Sequence, residues 1–222
     1  MPRPPRRPAR PDPAKPGPAK GLSSGPPEEA SSAPRIIGGE LRRRRLAHQP
    51  DGRTRPMKDR VRESLFDLLG ITVRGALAID LFAGTGALGF EALSRGAARA
   101  IFQERHFPTA DVLRRSAREL GVEDRCDIRS GDVLLWARHM PDLPTTMPWI
   151  VFVSPPWSFF GEGHEHRAAL LALIDTMRLS APPGSTLVVE ADTTFNPADL
   201  PEAAAWDPRP VPPAVLLFHR AD

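Results

Sequence analysis

Tyrosine is absent from the chain, lysine is nearly so, and Cys126 is the only cysteine. A single thiol forms no internal disulfide, which excludes a small secreted fold stapled by such bonds. No apolar run approaches the roughly 18 to 20 residues of a membrane-spanning helix, and the N-terminus lacks the apolar core of a secretory signal. These absences predict a soluble protein in the cytoplasm. What is present in excess is proline: 27 of the 222 residues, with 11 of them in residues 1–34.

Charge is unevenly spread. The net +3 combines +3 over residues 1–34, +7 over residues 35–62 and −7 over the remainder. A basic segment joined to an acidic body suits a polyanionic partner, since each Lys or Arg placed on a phosphate releases a counterion. Arg outnumbers Lys 27 to 3, so compositional drift toward solvated Arg is the competing reading.

Three regions follow. Residues 1–34 hold almost nothing to bury and are expected to be a disordered tail, inert or an electrostatic aid to nucleic-acid capture. Residues 35–69 form a basic extension: two short strands over 35–48 with Gly38 and Gly39 bending the first, a turn-rich link, and an amphipathic helix over 57–69 with Pro56 at its first position. That helix would bury Val61, Leu65, Leu68 and Leu69. Residues 70–222 alternate strands (77–82, 100–103, 126–129, 149–153, 186–190, 214–219) with helices (87–94, 109–120, 133–138, 167–178). Crossover helices between strands imply a doubly wound α/β fold with a mostly parallel sheet.

Asp80 to Gly89 (DLFAGTGALG) leaves a strand and enters a helix. Gly84, Gly86 and Gly89 match a nucleotide-binding turn, although such turns also need glycine for conformation alone. Asp80 lies four residues before the first of these glycines, and Glu104 ends the next strand, where it can accept from ribose hydroxyls. A dinucleotide enzyme would share Glu104, but Asp80 would repel a pyrophosphate. It would attract the ammonium of an amino-acid-bearing nucleoside, S-adenosylmethionine. The cofactor set is therefore Asp80, Phe82, Ala83, Gly84, Thr85, Gly86, Glu104 and Asp132. Asp132 is read equally as an acceptor from adenine or as a helix N-cap.

Ser154, Pro155, Pro156 and Trp157 follow the fourth strand directly and form the candidate catalytic set. Two prolines remove two N–H donors and stiffen the backbone, so carbonyls are left to accept. The Ser154 side chain and the Pro155 carbonyl would take the two N–H protons of an exocyclic amine and aim its lone pair at a methyl donor. Trp157 would stack on the target base, a contact worth about 1–3 kcal/mol. The bland alternative is a rigid loop with Trp157 in the core.

Three blocks carry a family likeness: Arg35–Gly39 (RIIGG), Arg55–Phe66 (RPMKDRVRESLF) and Asp80–Leu93 (DLFAGTGALGFEAL). On these the chain resembles the bacterial 16S rRNA guanine-N2 methyltransferases over about residues 35–190. The resemblance implies a seven-stranded Rossmann-like methyltransferase sheet, methyl transfer from S-adenosylmethionine to guanine N2, and 16S rRNA or the assembling small subunit as partner. Where that family has Asp or Asn, Pro-Pro, then Phe or Tyr, this chain has Ser154-Pro-Pro-Trp157. Ser at that place is similar to cytosine-N4 DNA methyltransferases, and Ser-Pro-Pro-Trp to cap trimethylguanosine synthases, which also act on guanine N2. A cytosine-N4 or adenine-N6 DNA methyltransferase and a non-catalytic RNA-binding relative are the alternatives.

Arg42, Arg43, Arg44, Arg45, Arg55, Lys58, Arg60 and Arg62 are the candidate RNA contacts, with a solvated edge as the other reading of the Arg run. His164, Glu165 and His166 are too few for a tetrahedral metal site, so no metal is expected, and they read as a loop over the base. Cys126 is expected in the core. The protein is expected to act as a monomer.

Overall fold

The computed structural model describes residue 1 and residues 33–48, 57–136 and 143–222. The 1–34 tail thus falls almost wholly outside the described residues, as do Arg55, Pro56 and the last two positions of the 133–138 helix.

Among the described residues seven strands make one sheet: β1 (Leu77–Asp80), β2 (Arg99–Glu104), β3 (Cys126–Ser130), β4 (Trp149–Val153), β5 (Thr186–Asp192), β6 (Asp207–Val211) and β7 (Ala214–Arg220). Their order is β3-β2-β1-β4-β5-β7-β6. The first five are parallel, whereas β7 runs antiparallel to β5 and to β6. Chain order reverses beside β1, so β2 and β4 flank it and their carboxyl ends gather at one edge. In open α/β sheets that crevice is where ligands bind.

Among the described residues five α-helices cover the faces: α1 (Asp59–Leu69), α2 (Ala87–Ser94), α3 (Phe107–Leu120), α4 (Val133–Trp136) and α5 (Arg167–Ser180). Alternation along the central strands divides the core in two. Ala78, Ile150, Phe152 and Val188 pack with α1, α2 and α3 on one face. Ile79, Val151, Val153 and Val189 pack with α4, α5 and Phe159–Phe160 on the other. Helix α2 is buried along its whole length, and it fits because Gly89 has no Cβ: one would lie 2.3 Å from the Phe102 ring.

Helix α1 buries Val61, Arg62, Leu65, Phe66 and Leu69, while Leu68 is 40% exposed. The apolar stripe is thus rotated relative to the one expected, with Phe66 in place of Leu68. The Phe66 ring centroid sits 5.6 Å from that of Phe152 and 5.0 Å beneath the Arg95 guanidinium, which explains the rotation.

The basic extension departs from the two expected strands. Arg35 and Arg45 form one antiparallel bridge around a tight reversal, with Ile36 N donating to Arg44 O at 2.9 Å and Arg43 N to Ile36 O at 2.9 Å. The ladder stops there because the backbone turns to α2 for its partners. Glu91 accepts from Ile37 N and Gly38 N, both at 2.7 Å, and Leu41 N donates to Ser94 Oγ at 2.9 Å. Gly39 meets the end of α2 so closely that a Cβ would lie 1.9 Å from the Ser94 carbonyl oxygen, and its φ of +75° also favours glycine.

Candidate active site

Asp80 closes β1 and is 1% exposed. Its Oδ2 accepts from Gly89 N at 3.2 Å, and its buried Oδ1 has no partner. Burial drives its pKa up to about 7; the Gly89 hydrogen bond and the nearby Phe82 backbone N–H oppose the rise, and the Glu104 charge adds to it. An orphaned carboxylate oxygen away from water is costly and marks a place where a donor or cation belongs.

The turn after Asp80 is tied to β2 at two points. Ala83 N donates to Gln103 O at 2.9 Å, and Gly84 N donates to Glu104 Oε2 at 2.9 Å. The second Glu104 oxygen accepts from His106 N at 2.8 Å. A carboxylate offers about four lone-pair sites, so Glu104 orders the turn and still has acceptor capacity for a hydroxyl. Phe82, Gly84 and Thr85 are half-buried along this turn, whereas Ala83 and Gly86 are buried within it.

Asp132 follows β3, and its Oδ1 accepts from Leu134 N at 2.8 Å. This is the cap geometry of the two readings, and it leaves the second carboxylate oxygen for another donor. Gly131 N donates to Glu104 O at 2.9 Å, which joins the Asp132 loop to the end of β2.

Past β4, Ser154 and Trp157 are half-buried, Pro155 is buried and Pro156 is exposed. Phe159 N donates to the Pro156 carbonyl at 2.9 Å as residues 157–160 form a 3-10 turn, so that carbonyl is held within the loop. Trp157 packs part of its indole on the α1–α3 side of the core and keeps part exposed, between the two readings of it. Phe159 meets Phe82 edge-on at 6.3 Å and lies 5.1 Å from His164 and 4.5 Å from His166, so an aromatic chain links the glycine turn to the loop after Trp157.

One site residue was not singled out from the sequence. The Ser154 hydroxyl donates to Glu190 Oε2, and burial pushes the Glu190 carboxyl up while that hydrogen bond opposes the shift. A signal for it exists: the largely apolar run TLVV ends in Glu190, as LAI ends in Asp80. An acid directly after the apolar run of a parallel strand falls toward the ligand edge of the sheet.

The basic residues divide. Arg42, Arg43, Arg45, Lys58 and Arg60 are exposed; Arg44 is exposed as well, with its guanidinium donating to the Glu119 carbonyl. Arg62 is a correction. It is 1% exposed, and it donates to Arg35 O at 2.7 Å and Asp59 Oδ1 at 2.8 Å beside Glu91, so it holds the extension in place and is closed to RNA. Among the described residues no helix is long and apolar enough to cross a membrane.

Ribosomal RNA small subunit methyltransferase D of Escherichia coli K12 is 37% identical over 60% of this chain and 64% of its own length. YlbH of Bacillus subtilis strain 168 is 32% identical over 76% of this chain and 86% of its own. The solved structure of yhhF from E. coli superposes with a TM-score of 0.67 at 29% identity, covering 86% of this chain and 99% of that one. An RNA methyltransferase from Salinibacter ruber, solved with S-adenosyl-L-homocysteine, shares the fold at a TM-score of 0.53 and 19% identity over 75% of this chain and 93% of that one. The sheet is thus the seven-stranded Rossmann-like sheet of S-adenosylmethionine-dependent methyltransferases. The family model described as conserved hypothetical protein 95 matches residues 34–206, and the chain belongs to that family.

Proposed function

We propose that this protein transfers a methyl group from S-adenosylmethionine to the exocyclic N2 of a guanine in 16S rRNA, acting as a cytoplasmic monomer on the RNA or on the assembling small subunit. The observation that carries the reading is the Asp80 carboxylate, buried at the glycine turn with one oxygen unpartnered. The ammonium of the cofactor's methionine part would satisfy that oxygen. Glu104 would take the ribose hydroxyls, and the free oxygen of Asp132 the adenine amino group. When bound, the cofactor supplies an electrophilic methyl on a sulfonium.

The chain's own work lies in holding the target. An exocyclic amine is a weak nucleophile because its lone pair is delocalised into the ring. Ser154 Oγ and the Pro155 carbonyl would accept its N–H groups and favour a more tetrahedral nitrogen, and the exposed part of Trp157 would carry the base. The exposed Arg42–Arg45 turn, with Lys58 and Arg60, would take phosphates. Sequence identity to an enzyme named for small-subunit rRNA supports RNA as substrate.

Labelled methyl transfer to 16S rRNA lacking the modification, followed by nucleoside analysis, tests the reading. N2-methylguanosine is expected. A methylated cytosine or adenine in DNA, or tight RNA binding without transfer, contradicts it.

A further inference from the structure

Among the described residues Glu190 enters no ion pair, and its one polar contact is the Ser154 hydroxyl, which donates to it. It is 7% exposed, and Leu216 stands opposite it across the antiparallel pair with β7. On the other side Val153 pairs with Val189, so Ser154 leaves the ladder level with Glu190. The carboxylate and the hydroxyl are thus set against each other by the register of two central strands. Loop conformation has little freedom to separate them.

A hydroxyl has one hydrogen and two lone-pair directions. A serine free to rotate would donate or accept as its ligand required. Ser154 is half-buried and has its hydrogen committed to a buried carboxylate, so its oxygen offers only lone pairs to a ligand at that edge of the sheet. An amino group with two N–H donors meets that surface favourably. A ring carbonyl or unprotonated ring nitrogen presents lone pairs to lone pairs and is disfavoured.

We infer that Glu190 is a positioning residue: by holding the Ser154 hydrogen it makes Ser154 an acceptor alone, and so selects an exocyclic amino group over a carbonyl at the target loop. The inference rests on the methyl-transfer reading above. As the N–CH3 bond forms and the methyl–sulfur bond breaks, its electron pair stays on the sulfur of S-adenosylhomocysteine and the amine nitrogen takes on positive character until one proton passes to solvent. Its N–H groups become stronger donors meanwhile, so the bond to Ser154 tightens most in the transition state. The effect therefore falls on kcat more than on KM.

The test uses the full chain with Glu190→Met, which removes the acceptor at similar volume, and Glu190→Gln, which keeps an oxygen for the serine hydrogen. Steady-state transfer to 16S rRNA gives kcat and KM, and calorimetry gives S-adenosylmethionine affinity. Glu190→Met should lower kcat about 10- to 100-fold, the size expected for a hydrogen bond involving a charged group. KM and cofactor affinity should stay within about threefold, since ground-state binding is spared. Glu190→Gln should recover part of kcat. Ser154→Ala should lose as much as Glu190→Met, and combining the two should cost little more, because one acts through the other.

Undiminished kcat in Glu190→Met, losses that multiply in the double variant, or cofactor affinity falling with kcat would each overturn the role of Glu190. Should Glu190→Met fail to fold, Glu190→Gln with and without Ser154→Ala decides by the same non-additivity. A wild-type chain that methylates no RNA fails differently: it removes the methyl-transfer reading itself, and the role of Glu190 with it.

Discussion

Glu91 and Asp80 are carboxylates buried in the same strand–turn–helix unit, at 0% and 1% exposure, and their surroundings are opposite. Glu91 receives two backbone N–H groups of the extension at 2.7 Å and the Arg95 guanidinium at 2.8 Å, with Arg62 at 3.9 Å. Asp80 receives one backbone N–H at 3.2 Å and leaves an oxygen bare. A buried charge that is fully answered from within the chain is architecture. One that is half answered is, in the function proposed above, the seat of the cofactor's ammonium. The network around Glu91 is thus closed at the carboxylate, although Arg62 Nε beside it makes no hydrogen bond, and the one at Asp80 is open at the carboxylate itself.

Breaking the closed network should cost the most. Glu91→Ala strands Arg62, Arg95 and two backbone donors, and loss of one partner from such a buried pair costs about 3–5 kcal/mol. Urea unfolding should show that loss; a change under about 1 kcal/mol would mean the network is dispensable.

The open network should respond with the opposite sign. The Asp80 carboxyl sits near 7 when folded and at 3.8 when free, so through that window the folded state keeps a proton that the unfolded state has lost. Stability of the cofactor-free protein from this group is therefore full below the free value and falls as pH rises toward 7. Asp80→Asn removes the penalty. It should equal or exceed the wild type in stability at about pH 8, with its advantage shrinking on acidification, while cofactor affinity drops about 100-fold. Urea midpoints at the two ends of the window check this, and an Asn variant less stable at high pH than at low pH, relative to wild type, would reverse the assignment.

The smallest effect belongs to the surface of the extension. Reversing Arg42, Arg43 and Arg45 to Glu should weaken RNA binding and flatten its salt dependence by about one unit of slope per lost phosphate contact. Arg62→Ala should instead lower stability. An unaltered salt slope in the reversed variant would leave these side chains as a solvated edge.

Much of this contrast was legible in the sequence. Asp80, the glycine turn and Glu104 are contiguous in pattern, and a strand ending in an acid before a glycine-rich turn has few uses. Ser154 to Trp157 stood out because a Pro-Pro pair follows the apolar strand WIVFV almost directly. Glu190 did not, since its meaning comes from a hydroxyl 36 positions away that only the β4–β5 register brings to it. Arg62 was misjudged for the same reason: charge runs read as surface until a distant acid such as Glu91 is known to face them. Strand β6 escaped because Pro208 and Pro210 argue against a strand; as the edge strand of the sheet it tolerates residues that cannot donate to a ladder.

The most direct measurement is the proton count on cofactor binding. Calorimetric titration with S-adenosylmethionine at about pH 6, in buffers of different ionisation enthalpy, reads it from the slope of heat against buffer. If the Asp80 oxygen is the seat of the ammonium, the wild type releases about one proton as the cation drives the carboxyl to ionise, and Asp80→Asn releases none. Binding without proton release in the wild type, or equal release in both, would contradict the account.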